Sequence, residues 1–527
     1  MKRPEQDYAP RALRTIGWVL LALLVVSLIP PVTVGGITLR RANIFSDLYA
    51  FDDSDRSEPT EAASLFDAAE FEIDFEEVSR QIEQIEEPPR EVQRTFEWCT
   101  EDYTPSPRPA IALDTRRYIP TLTPIEDFSA DERFAAFCER LLTAEGTVRI
   151  AVLGDSFIEG DILTADLRER LQTAFGGHGT GFAPMASPLT GFRRSIKTQS
   201  KGWTSYNVMQ QRKTPAPYNE QFFVSGWVCR PEAGASTRWE STSFRKRLDS
   251  CSTARIHFIA PQRSRIELTL NDTLHHTLAV EGASSLREIT VRAPQIRSLE
   301  FKVTEGASQL IGYGASFEDR GVTVDNYSVR SNNGQALFRT NPSINAQLNA
   351  LAPYDLVILQ YGLNIMQQGV LQYTSYGVQI EKMIAYVRQC FPSAAVLVLG
   401  VSDRAVKNEQ GVETMDAIPY MIECQRTAAR NAGAAFWSTF DAMQAQGGIE
   451  EFVARGWAGK DFTHINYGGG RRVAWALYDA INHEAAKAER RLQRRREREQ
   501  AVIDSLSAAR IRAELTTAPT LEITPEL

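Results

Sequence analysis

Apolar and polar positions alternate in three distinct rhythms along the chain. Residues 15–39 carry no charge and include GWVLLALLVVSLIPPVTV, enough for a helix of roughly 20 residues to cross a bilayer. Short unbroken apolar runs such as IAVL at 150–153, LVIL at 356–359 and AVLVLG at 395–400 have the texture of strands buried on both faces of a parallel sheet. Helical periodicity follows them, at 165–175, in YGVQIEKMIAYVRQC and in IPYMIECQRTAARNAG. From about 187 to 318 the rhythm shortens to alternation, in ARIHFIA, SRIELTLND, TLHHTLAVEG, REITVRA and SLEFKVTEG. This is the pattern of an antiparallel sandwich or jelly roll. Because the first texture then returns, the sequence predicts one α/β domain with a parallel sheet, interrupted by an all-β insertion. Such an insertion is tolerable, since loop-closure entropy grows slowly with length.

The divisions that follow are 1–14, a cytoplasmic N-terminus; 15–36, a transmembrane anchor; 37–130, an acidic linker and approach segment; 131–186, the first part of the α/β domain; 187–318, the insertion; 319–485, the second part; and 486–527, a charged helix and tail. An uncleaved anchor is favoured over a signal peptide because the apolar stretch is long and no small-x-small site follows Pro30-Pro31. Lys2, Arg3, Arg11 and Arg14 precede the span and only Arg40 and Arg41 follow closely, which places the main body outside the cytoplasm on a single pass. The linker is rich in carboxylates, with a helical portion near 73–85, and a helix is expected at about 131–144. In the arginine-rich segment 485–513 acidic residues interleave the basic ones, the mark of a solvent-exposed helix laced with Glu–Arg pairs rather than a polyanion binder. A net charge of −8 over 527 residues argues likewise against a nucleic-acid partner. Six scattered cysteines offer no metal-ligand spacing; Cys229 and Cys251 fit either a disulfide or buried free thiols.

The chemistry begins at RIAVLGDSFIEGD, residues 149–161. Ser156 sits where a strand hands over to a helix. With Glu159 it has the spacing of a capping box, yet a serine beside free N–H groups at a strand's C-terminal end is also placed to attack a carbonyl. A nucleophile needs a base, and the chain has six histidines. His178, His257, His275, His276 and His483 lack a favourably placed loop carboxylate; His464 has one, Asp461, in KDFTHINYGGG. Asn364, in the GLN turn after LVILQY, can donate to an oxyanion from the same sheet edge. Singly, Asp-x-x-His is a weak signal and Asn364 is a common turn-former. Jointly they complement Ser156.

GDSFIEGD, GLN and DFTH resemble, in order and spacing, the blocks of the SGNH, or GDSL-type, hydrolases. The likeness covers about 148–186 and 319–485. It implies a flavodoxin-like three-layer domain with Ser156 as nucleophile, His464 as base and Asp461 orienting it. The implied oxyanion hole is the Ser156 N–H, the Asn364 amide and a backbone N–H from the segment GVTVDNYSVRSNNGQAL. There Ser331 stands where the family has glycine and Gly334 follows, leaving both as candidates. GDSFIEGDILTADLRERLQTAFGGHGTGFAP is similar to the first block of periplasmic peptidoglycan O-acetylesterases, which carry a carbohydrate-binding-module-like jelly roll at the place of this insertion. In that pattern Asp161 and Arg168 read as structural supports of the active-site loop.

The activity that this resemblance implies is removal of O-acetyl groups from cell-wall or other polysaccharide, with peptidoglycan as the first candidate, through an acetyl-serine intermediate without metal or cofactor. A lipid or thioester hydrolase, a polysaccharide O-acetyltransferase and a non-catalytic glycan-binding scaffold are the rival readings. Trp203, Trp227 and Trp239 can stack on sugar or fill the insertion's core.

Overall fold

The computed structural model describes residues 32–34, 37–39, 74–83 and 94–517, apart from 106, 109, 115–118, 189 and 410. Residues 1–65 form one unit and 66–527 another. In the first, Val32–Val34 and Ile37–Leu39 pair as an antiparallel hairpin. The end of the expected 15–36 helix is thus strand; residues 15–31 lie outside the described residues. None of the described helices is long and apolar enough to cross a membrane.

In the second unit a parallel sheet is built from β1 (Thr147–Gly154), β2 (Gly321–Ser328), β3 (Leu356–Gln360), β4 (Ala395–Gly400) and β5 (Ala435–Ser438). Their order is β2-β1-β3-β4-β5, with Glu126–Asp127 added antiparallel at the β5 edge. All residues of β3, β4 and β5 are buried, which is why their sequences are apolar without alternation. This is the flavodoxin-like order, whose switch point lies between β1 and β3, where ligands bind at the carboxyl ends of the strands. Helices Arg133–Thr143, Thr164–Phe175 and Tyr467–Thr517 pack together in one layer; Pro342–Leu351, Thr374–Cys390 and Ile418–Asn431 pack in another.

The insertion is a ten-stranded sheet with its own apolar core, centred on residues such as Trp239, Phe258, Leu268 and Phe301. Its boundaries are wider than alternation alone suggests. Gly181–Pro184, expected in the hydrolase part, pairs with Ile311–Glu318, and Arg94–Cys99, expected in the approach segment, pairs parallel to Ala283–Ile296. The latter brings Phe96 and Trp98 against the insertion's core. A chain of buried ion pairs joins the insertion to the main sheet: Arg149 of β1 pairs with Glu318, which pairs with Arg255 at 2.7 Å, which pairs with Glu288 at 2.8 Å. The helix expected at 73–85 is Phe75–Glu83. The C-terminal helix is one continuous element, Tyr467–Thr517, with Arg495 on Glu139 at 2.8 Å. All six cysteines are unpaired.

Candidate active site

β1 ends at Gly154, where an added Cβ would lie 2.6 Å from Gln360 Oε1, so the close approach of β1 and β3 requires glycine. Asp155 follows and caps the 3₁₀ turn Ser156–Asp161 by accepting the Phe157 N–H at 2.8 Å. The capping role that Ser156 was able to fill therefore falls to Asp155, while Glu159 is drawn off to Arg330 at 2.5 Å. The half-buried Ser156 is left at the end of β1, at the first position of the turn, where N–H groups lack partners within the helix.

The turn is held from below by Asp161, fully buried and in the left-handed region at φ 66°. Its carboxylate receives Arg168 at 3.0 Å, Arg193 at 2.8 Å and the Thr164 hydroxyl at 2.7 Å. Burial alone would raise its pKa, but the two guanidinium groups outweigh that and hold the carboxyl well below the usual range.

Asp461 and His464 lie on the loop before the C-terminal helix. The His464 Nδ1 is 2.6 Å from Asp461 Oδ2, and the other carboxylate oxygen accepts the N–H groups of Thr463 and His464, each at 3.2 Å. The hydrogen bond to Asp461 raises the pKa of His464. Burial would raise Asp461, but the bonds from His464 and the loop backbone keep it low. His464 is 47% exposed, so its ring faces an open mouth, and it acts electrostatically on Asp155, the neighbour of Ser156. The two loops are also joined directly. The Tyr467 hydroxyl lies 2.6 Å from the Gly160 carbonyl, and at Gly470 an added Cβ would come within 2.0 Å of the Ile162 carbonyl. Gly470, the last of the three glycines following THINY, is what lets the helix start this close to the nucleophile loop.

Asn364 reaches the same edge from the turn after β3. Its amide donates to Asp155 Oδ2 at 3.1 Å and to the Asn332 carbonyl at 3.0 Å. Of the two candidate donors after β2, the Gly334 N–H is committed to Asn332 Oδ1 at 2.8 Å. The Ser331 N–H meets no acceptor among the described residues, and Ser331 is exposed with φ 58°, the backbone conformation that favours glycine. The structure thus brings Ser156, Asn364, Ser331, Asp461 and His464 to one edge of the sheet and turns Gly334 inward. The sequence did not point to Asp155, Asn332 or Tyr467, each of which acts through contacts distant in the chain.

The other histidines lie elsewhere: His178 contacts Arg247 at 2.9 Å and the buried His257 contacts Glu288 at 3.3 Å. Among the described residues no group of His, Cys, Asp and Glu is arranged to hold a metal. Of the tryptophans, Trp239 is fully buried and Trp203 donates to the Ser236 carbonyl at 3.0 Å. Trp227 lines a cleft between the nucleophile loop and the insertion, with Glu159, Thr190, Arg193 and Ser328.

No family model matches the chain, and no curated protein matches it in sequence. Among solved structures, a peptidoglycan O-acetylesterase superposes with a TM-score of 0.55 at 22% identity, over 69% of this chain and 99% of that one. That likeness shows the fold alone, and the fold here is an α/β domain with a parallel sheet and a β-rich insertion. A family two carbohydrate esterase from Cellvibrio japonicus matches at TM-score 0.24 and 8% identity, over 55% of this chain and 98% of that one. A GDSL-like lipase from Parabacteroides merdae matches at TM-score 0.24 and 12% identity, over 30% and 73%. Both are too distant to bear on the argument.

Proposed function

We propose that this chain is an SGNH-type serine esterase that removes O-acetyl groups from a cell-wall polysaccharide, with peptidoglycan as its substrate. The observation that carries the reading is the Asp461–His464 pair, at 2.6 Å, on the same sheet edge as the half-buried Ser156. The peptidoglycan O-acetylesterase that shares the fold supports the choice of substrate.

In this mechanism His464 takes the proton from the Ser156 hydroxyl, and the oxygen attacks the acetyl carbonyl. The ester bond breaks, the sugar oxygen leaves with the proton from His464, and acetyl-serine remains. Water, deprotonated by His464, then attacks the acetyl carbon; acetate leaves and Ser156 regains its proton. The developing oxyanion is met by the N–H groups of Ser156 and Ser331 and by Asn364. Asn364 must give up one of its resting partners to do so. The cleft beside Trp227 offers an aromatic face to the rest of the glycan. In the same reading the uncharged residues ahead of the Val32–Leu39 hairpin, 15–31, tether the enzyme to the cytoplasmic membrane with its catalytic domain outside; the support is the sequence pattern.

The test is acetate release by the purified protein from O-acetylated peptidoglycan, O-acetylated xylan and an aryl acetate. Peptidoglycan is expected to be the best polymer. Equal or greater release from xylan contradicts the substrate, and no release from any of the three contradicts the esterase.

A further inference from the structure

Arg404 follows β4 and stands at the same sheet edge as the candidate nucleophile. Its backbone is fixed on both sides: its carbonyl accepts the Met415 N–H at 2.8 Å, and the next N–H, of Ala405, donates to the Phe462 carbonyl at 3.0 Å, within the loop that carries Asp461 and His464. The side chain is half-buried and has no hydrogen bond or ion pair among the described residues. The obvious partner, Asp461, is spent: one oxygen lies on the His464 ring and the other on two backbone N–H groups.

This placement is costly, and the nearby charge of Asp461 offsets the cost only in part. Arg404 opposes the positive charge that His464 must acquire when it takes a proton, and it draws the imidazole pKa down against the pull of Asp461. Partial burial disfavours the guanidinium itself. A fixed cation at this position is offset when an anion of the substrate sits against it. The planar guanidinium fork matches a carboxylate better than it matches hydroxyl groups.

We propose that Arg404 is a specificity-determining residue that binds a carboxylate of the glycan next to the scissile acetyl ester. The inference deepens the esterase reading and rests on it, naming the substrate class as an acidic acetylated sugar, such as a muramic acid residue whose lactyl carboxyl carries no stem peptide. Other arginines near the nucleophile turn are already paired, Arg330 with Glu159 and Arg168 and Arg193 with Asp161.

The experiment uses N-acetylmuramic acid and its methyl ester, which differ in one charge. Titration of Ser156→Ala with both should show the acid binding about tenfold or more tightly, and Ser156→Ala/Arg404→Gln should lose most of that difference while Arg404→Lys keeps part of it. Equal binding of the two compounds to Ser156→Ala, or an unchanged difference in the Gln variant, overturns the proposal. The 6-O-acetyl derivatives of both compounds are then given to the catalytically intact protein across pH. Arg404→Gln should lower the acid-to-ester ratio of kcat/KM as well as move the acidic limb upward. A moved limb with an unchanged ratio makes Arg404 a tuner of His464 only and contradicts carboxylate binding. Absence of turnover on any acetyl ester, with the binding difference intact, sinks the esterase reading and leaves carboxylate recognition standing.

Discussion

The Asp155 carboxylate accepts the Asn364 amide at 3.1 Å, joining the residue before the nucleophile to a turn 209 positions away. With its second bond to the Asn332 carbonyl, Asn364 is oriented between the ends of β1, β2 and β3 before any substrate arrives. A donor held in place beforehand needs little reorientation as charge develops, here the exchange of one of these two acceptors for the oxyanion.

If Asn364 donates to the oxyanion, Asn364→Ala should lower kcat on an aryl acetate by on the order of 10² to 10³ with little change in KM. Steady-state kinetics on the folded variant checks this, and turnover at the wild-type level removes Asn364 from the mechanism.

Burial pushes the Asp155 carboxyl up to about 7. A raised carboxylate stabilises the fold below its unfolded pKa, near 4, and loses that contribution as pH rises through about 7. Asp155→Asn should therefore flatten the dependence of stability on pH between about 4 and 7, while releasing Asn364 and lowering turnover. Urea unfolding across this range tests the slope; an unaltered slope counts against a buried, proton-binding Asp155.

The activity of the free enzyme should rise with pH as His464 loses its proton, with a midpoint above that of an ordinary histidine because Asp461 raises it. Asp461→Asn should move this limb to lower pH and cost about 10³ to 10⁴ in kcat. A limb that stays in place under that substitution means another group controls it.

Asp161 carries two arginines in a fully buried site. Asp161→Ala leaves both charges uncompensated and should destabilise the protein by about 3–5 kcal/mol. Since the carboxyl is held below its usual range, its contribution is present above pH ~4 and lost as pH falls below that. Denaturant melts at neutral pH decide the point; a loss under about 1 kcal/mol contradicts the support role.

Ser331 holds a left-handed backbone that glycine adopts freely. Ser331→Gly keeps the N–H and should retain turnover with stability unchanged or slightly higher, by up to about 1 kcal/mol. A large fall in kcat for that variant assigns the work to the serine hydroxyl instead of the backbone.

The buried strands were legible because β3, β4 and β5 have no solvent face to interrupt their apolar runs. The Asp461–His464 contact was legible because few histidines compete and only one has a loop carboxylate at the right distance. Other features depend on contacts that local patterns do not encode. RTFEWC lies in a region read as linker, and its parallel pairing with residues 288–292 is a long-range choice. Ser156 and Asp155 are both residues that cap helices, and only the fold shows which one does so. The C-terminal helix read as two pieces because its face changes from buried to exposed beyond Ala488, although the backbone continues unbroken. Arg404 gave no signal, since a guanidinium without a hydrogen-bonding partner among the described residues is a property of its tertiary neighbours.

The central claim is that Ser156 becomes acylated with His464 as base, and intact-mass measurement after rapid quenching with an aryl acetate tests it most directly. The account predicts an acetyl adduct on the wild-type protein, mapped to the peptide containing Ser156, and none on Ser156→Ala or His464→Ala. An adduct of equal yield on Ser156→Ala, or turnover by that variant at the wild-type rate, contradicts it.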